Sequence, residues 1–480
     1  MRSPFALRNI RLFICLRVFF NSRFYYPVFT IIFLDYGLSI EQFSVLNAVW
    51  AATIVISEVP SGALADVMGR KTLLVLTAVG MVLEMTIIAF VPLGNGKVVF
   101  FAFLLNRIFS GLAEAMASGA DEALAYDTLK EHGLEKEWGR VLDIQLRIRS
   151  AGYILVMTIG GLVYDPDGLR RIGELLGVSI VLDQQTTMRF PVYLTLVSAF
   201  LALIAALLMH ERPGPQSSLT VQAAIGRASR LIGRAARWTV TMPLVLVIIL
   251  FGTCFDHIMR MLVTLNSQYY RIIGLPEASY GLIGSMIAVI GIFVPRGARY
   301  MAEHWSPVTN VIILGVVTLV ALAGLPLMLP FFGIVFMVMI FMVMMSNSFF
   351  MSHYLNHITA SEMRATVLSF KGLVFNLAYS GIGLMYGLFF TLSRGIADGN
   401  EDAVFQQSLL WFPVYFLVLL GGLLLLGRRL LGQGGGKDLC RLHHCTGKSS
   451  ADGQGSALYR LVASPGRQGE SNSSKQEEMQ

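Results

Sequence analysis

The chain has 480 residues, 55% of them hydrophobic and 14% charged, with a formal charge of +7 at pH 7 and a mean hydropathy of +0.64. Apolar stretches of membrane-span length recur from end to end, which excludes a soluble globular protein. Four cysteines (Cys15, Cys254, Cys440 and Cys445) make no disulfide framework for so long a chain, and the placement of the basic residues argues against nucleic acid as a partner.

The first apolar run is too long for a cleaved signal peptide and is expected to stay as a span. Twelve helical spans are predicted, at 10–34, 42–65, 72–93, 98–126, 140–164, 190–210, 240–270, 279–298, 307–329, 332–357, 365–392 and 405–427. Lys and Arg concentrate in the segments on the side of the N-terminus, which predicts both termini in the cytoplasm. The architecture expected is all-α and polytopic, with an N-terminal six-helix bundle (1–210) and a C-terminal one (240–430). Between them lies a basic cytoplasmic linker (211–239). There Arg227, Arg230, Arg234 and Arg237 recur at helical spacing and suggest an amphipathic helix on the membrane surface. The tail from 431 to 480 reads as disordered, and its Cys440–Cys445 cluster is expected to be incidental, with no metal site.

Between the second and third spans, Glu58 to Leu73 reads Glu-Val-Pro-Ser-Gly-Ala-Leu-Ala-Asp-Val-Met-Gly-Arg-Lys-Thr-Leu. So short a stretch between two spans is expected to be a tight connection, with Gly62 and Gly69 permitting close approach and a sharp turn. It resembles the signature loop of the major facilitator superfamily, Gly-x-Leu-x-Asp-x-x-Gly-Arg-Lys, matched at Gly62, Leu64, Asp66, Gly69, Arg70 and Lys71. Leu104-Leu-Asn-Arg107-Ile-Phe-Ser-Gly111 resembles the family's fourth-span motif. The resemblance implies two six-helix bundles rocking about a central cavity, a gate latch at Asp66, Gly69 and Arg70 that Asp127 joins, and a link between Arg107 and proton transfer.

Ionisable residues inside spans are costly, so they face a polar cavity or pair with one another. Arg17, Asn21 and Arg23 lie in the first span, and Arg107, Glu114 and Asp121 share one face of the fourth. Arg147, Asp256, Arg260, His353 and His357 complete the candidate substrate cavity. Arg17 and Arg23 are expected either to meet an anionic substrate or to pair with fourth-span acids. An arginine keeps its proton at working pH, so coupling would run through a nearby carboxylate, with Glu114 and Glu58 the best placed.

The resulting expectation is a secondary transporter, monomeric, without cofactor, driven by a proton gradient and set in a cell membrane of bacterial inner-membrane type. Export of a small organic solute against protons is the first reading, because the loop and the Arg107 motif most resemble antiporters. Uptake of an anionic metabolite or a siderophore-type chelate together with protons is the alternative. Arg17 and Arg23 favour it, as does Val156-Met157 where drug antiporters of the superfamily carry Gly-Pro. An enzyme is not expected: His353-x-x-x-His357 lacks the His-Glu-x-x-His pattern. A non-transporting relative would not be expected to keep so many intramembrane charges.

Overall fold

The computed structural model describes residues 3–178, 182–211, 221–359, 361–394 and 400–432. Among them every regular element is helical, as hydrocarbon demands, because each backbone polar group has to be satisfied within its own helix. Eleven helices are long and apolar enough to cross a membrane. A further pass is made in two pieces, α1 (Arg8–Phe20) and α2 (Phe29–Asp35). The first half continues through α3 (Ile40–Met68), α4 (Arg70–Phe90), α5 (Gly96–Ala117), α6 (Ala120–Glu131) and α7 (Trp138–Tyr164). The short α8 (Pro166–Leu175) and α9 (Gln184–Thr187) then lead to α10 (Phe190–Leu208). After α11 (Val221–Thr241) come α12 (Pro243–Thr264), α13 (Asn266–Ile272), α14 (Ala278–His304), α15 (Pro307–Gly324), α16 (Ile334–Ile358), α17 (Ser361–Arg394) and α18 (Glu401–Gly432). Alternation of the passes brings the end of α18 to the face where α1 begins, here called the terminal face. The tail with Cys440 and Cys445 lies outside the described residues.

The first span is not the single rod expected over 10–34. Asn21 caps α1, its side-chain amide donating to the Arg17 carbonyl at 2.7 Å. A 3-10 turn at Tyr26–Val28 carries Pro27, which has no N–H for a helix to use. The exposed backbone of the break finds partners in its own bundle: the Phe24 N–H donates to Thr195 Oγ1 at 3.0 Å. The Phe24 carbonyl lies so close to Gly160 that any Cβ there would collide with it. The fourth span is interrupted too, at Ser118 and the left-handed Gly119 (φ +77°).

Glu58–Leu73 is mostly helix rather than an extended connection. α3 runs through it to Met68, and the turn is made by Gly69 alone, at φ +87°. Gly62 lies inside α3 with open space around it, so the turning role expected of it is absent.

A core of α1, α4, α6 and α10, built on Ile10, Phe13, Leu73, Met81, Ala199 and Ala202, holds the first bundle together. The bundles meet along two seams, α3 on α17 and α7 on α14. Small residues allow both approaches: Ser380 Oγ donates to the Ala48 carbonyl at 3.0 Å, and Gly161 faces the backbone of Gly281. The predicted amphipathic helix is present as α11, packed on α3, α17 and the start of the second bundle.

Candidate functional site

A cavity of about 250 Å³ lies between the bundles. The broken first pass contributes Arg23, Tyr25, Tyr26, Pro27 and Phe29, because loss of helix at 21–25 turns this segment toward the molecular axis. From α5 come Arg107, Ser110 and Glu114, which recur at three- and four-residue steps and so share one face. α12 supplies Arg260 and Thr264, and α17 supplies Tyr379. Trp50, Tyr153, Tyr270, Tyr280 and Phe341 complete a largely aromatic wall.

Three arginines reach this cavity, and their partners differ. Arg23 is ion-paired through Nη1 to Glu84 Oε1, with both side chains almost fully buried. Arg260 pairs with Asp256 one turn earlier at 2.7 Å and donates to Asn376 Oδ1 at 2.8 Å. Arg107 is buried and meets a neutral partner: its Nε and Nη2 donate to Asn106 Oδ1 at 2.9 and 2.7 Å. Its guanidinium also lies over the rings of Phe29 and Phe33, and no carboxylate pairs with it among the described residues. Glu84 links two of these cations, since its backbone carbonyl accepts from Asn106 Nδ2 at 2.8 Å. Glu114 opens onto the cavity and makes no ion pair among the described residues.

The face opposite the termini is closed by an ion cluster between the bundles. Arg271 of α13 donates through both Nη atoms to the two oxygens of Asp35, each at 2.8 Å. The same guanidinium holds Glu277 Oε1 at 2.6 and 2.9 Å. Tyr164 donates its hydroxyl to Asp35, and Gln184 donates to Asp35 and Glu277 at 3.5 and 3.3 Å. Nearby, Ser267 Oγ accepts from the Thr30 N–H at 2.9 Å, and Arg394 pairs with Glu41 at 3.3 Å. Burial pushes the Glu277 carboxyl above its ordinary range, against the opposing pull of Arg271.

On the terminal face no ion pair joins the bundles among the described residues, and the first half of α7 is largely exposed. A cross-bundle contact there runs from Ser369 Oγ to Glu58 Oε1 at 3.2 Å. Within the first bundle, Arg70 Nη1 pairs with Asp127 Oδ2, bringing two of the expected latch residues together. The N–H groups of Arg70 and Lys71 donate to the two oxygens of Glu211 at 2.9 and 2.8 Å, an anionic cap on the α4 N-terminus. The side chain of Asp66 lies outside the described residues.

Of the residues expected in the substrate cavity or at the coupling site, Arg23, Arg107, Glu114 and Arg260 line the cavity described here. The others lie elsewhere. Arg17 pairs with Asp121 at 2.5 Å and Glu122 at 2.6 Å, which is the pairing with fourth-span acids. Asn21 serves as the α1 cap. Arg147 points outward and pairs with Asp143 at 2.9 Å. Asp256 stands behind Arg260, and His353 stacks on Phe349 and neighbours His357. The sequence reading passed over Glu84, Asp35, Arg271, Glu277 and Glu211. Glu84 carried a usable signal, being the lone acid of its otherwise apolar span.

Two membrane bundles meeting along two seams, a largely aromatic cavity between them that three arginines reach and a shut ion latch on one face define a secondary transporter rather than an enzyme. The chain belongs to the Major Facilitator Superfamily, whose family model matches residues 12–383. Solved structures with the same fold include a bacterial homologue of the human lysosomal transporter Spinster in an inward-facing, unoccupied conformation (TM-score 0.65, 15% identity, 90% of this chain and 98% of that one). The nucleoside transporter NupG is also similar (TM-score 0.63, 13% identity, 87% and 97%). So is a D-xylose–proton symporter (TM-score 0.57, 12% identity, 86% and 97%). No curated protein sequence matches the chain.

Proposed function

We propose that this transporter carries a small organic anion with an apolar or aromatic body, together with a proton, by alternating access. The observation that carries the reading is Arg107, a buried cation that lines the cavity with only a neutral hydrogen-bond partner beside it. A charge taken out of water without a counter-charge is costly, and an incoming carboxylate or phosphate relieves that cost. Arg260 reaches the same cavity from the second bundle, so an anion touching both would tie the bundles together. The aromatic wall suits a flat or apolar remainder of the solute.

Glu114 is the proton site in this reading, two turns along α5 from Arg107. An anion at Arg107 and a proton on Glu114 bind together with no net change in the charge of the cavity, so each favours binding of the other. That logic supports symport. Exchange of an organic cation against a proton is the second reading. It rests on the same carboxylate, which a cation and a proton would contest.

Proteoliposomes holding the purified chain, loaded with a pH-sensitive dye and offered fractionated organic anions and cations, separate the two. Anion-driven proton movement in the same direction, lost in Arg107→Ala and uncoupled in Glu114→Gln, supports the proposal. Cation-driven movement in opposite directions, insensitive to Arg107→Ala, overturns it in favour of exchange.

A further inference from the structure

The four arginines of α11 have no place in the transport cycle described above. At about 100° per residue, Arg227, Arg230, Arg234 and Arg237 fall within an arc of about 80°. All four are exposed, and none has an ion-pair partner among the described residues. The helix contains no Asp or Glu from Val221 to Thr241, so its charge is not neutralised along its own surface, as on a solvated helix laced with opposite charges. Its other side is anchored by half-buried Ile225 and fully buried Thr239, while half-buried Trp238, at the edge of the arginine arc, packs on the main core.

Position supplies the second half of the argument. α11 runs straight into α12 and packs on both α3 and α17, the helices of one seam. That places a strip of four cations at the terminal face, beside this seam and next to the start of α12.

We propose that α11 is a binding element for anionic phospholipid headgroups, with Arg227, Arg230, Arg234 and Arg237 as their ligands. Guanidinium groups pair with phosphate through two parallel hydrogen bonds, and a row of them along the bilayer plane matches a row of headgroups. Because the helix touches α3 and α17 together, captured lipid bears on the seam whose helices belong to different bundles.

The test uses the full chain in nanodiscs of phosphatidylcholine doped with either dansyl-phosphatidylglycerol or dansyl-phosphatidylcholine. Energy transfer from Trp238 is isolated by subtracting a Trp238→Phe control. The wild type is expected to favour the anionic probe, with the preference shrinking as salt is raised. Fourfold Arg→Gln substitution is expected to reduce the preference about tenfold, whereas fourfold Arg→Lys retains most of it. Should the Gln variant fail to fold, the pairs R227Q/R230Q and R234Q/R237Q give the same readout in smaller steps. Equal transfer from both probes in the wild type, or an unchanged preference after removal of the arginine charge, would overturn the assignment. The readout involves no transported solute, so it stands or falls apart from the cavity.

Discussion

Arg271 and Asp35 meet across the two bundles through a pair of parallel 2.8 Å hydrogen bonds, and this contact closes the cavity on the face away from the termini. A fork of this kind is directional as well as charged, so it resists sliding between the bundles. Replacing Asp35 by Asn removes the charge and one acceptor while Tyr164 and Gln184 remain. The expected result is an equilibrium shifted toward opening on that face, by roughly tenfold for a partly exposed pair. Labelling rates of a cysteine placed at Thr264, compared between reagents added on either side of the membrane, report it. Unchanged labelling would remove Arg271–Asp35 from the gate.

Glu277 makes the same latch sensitive to pH, in a direction its ion pair alone does not suggest. Burial raises its carboxyl above the ordinary range more than Arg271 lowers it. The closed latch therefore binds a proton more tightly than an open, solvated one. By linkage, protonation of Glu277 stabilises closure at low pH, and this contribution fades as pH rises through the raised value. Acidifying the face away from the termini is expected to slow opening there, and Glu277→Gln is expected to flatten that dependence. Opening that accelerates on acidification, in the range between the ordinary and the raised value, contradicts the assignment.

Glu84 touches no solute in this arrangement, yet it holds Arg23 by its carboxylate and Asn106 by its backbone carbonyl. Arg23→Gln alone leaves a buried carboxylate uncompensated, at a cost of about 3–5 kcal/mol in stability. The double variant Arg23→Gln/Glu84→Gln removes both charges and is expected to recover much of that loss in a thermal melt. Transport by the double variant is expected to stay impaired, because Arg23 lines the cavity. Full recovery of transport would make the pair purely structural.

Gly161 and Gly281 are in backbone contact where α7 crosses α14. A Cβ built on Gly161 would sit 2.7 Å from the Gly281 nitrogen, and no side-chain rotation relieves that clash. Gly161→Val is expected to destabilise the closed arrangement by about 1–3 kcal/mol while leaving each bundle folded. Cross-linking yield between cysteines at Asp165 and Ala278 checks it, with a lower yield expected in the variant. An equal yield means that the seam yields elsewhere.

The amino-acid sequence made the passes readable because a span in hydrocarbon imposes its length and apolarity on the chain. It also gave away Arg107 and Glu114, two charges on one face of one helix. The break in the first pass was only half legible: Asn21, Ser22, Arg23 and Pro27 mark it in the sequence, and the rest of its cause was hidden. What ends the helix there includes the approach of Gly160 and Thr195 from other elements, a tertiary cause. Arg271, Asp35 and Glu277 were hidden for a related reason. Each is an ordinary polar residue near a span end until folding brings 35 and 271 together. The Arg17–Asp121 pair was foreseen as one of two readings, but the partner of Arg23 was not, because Glu84 belongs to the third pass.

The crossing of Gly161 and Gly281 has a mechanical meaning. It lies near one end of α7, about 35 Å along the helix from Trp138 at the other end. A backbone contact this tight serves as a fulcrum rather than a sliding surface. A rigid rotation of about 15° about it sweeps the far end through about 9 Å, enough to admit a small solute, while the glycines barely separate. Leverage of this kind lets the far ends of the bundles part widely while the contacts beside the fulcrum move little.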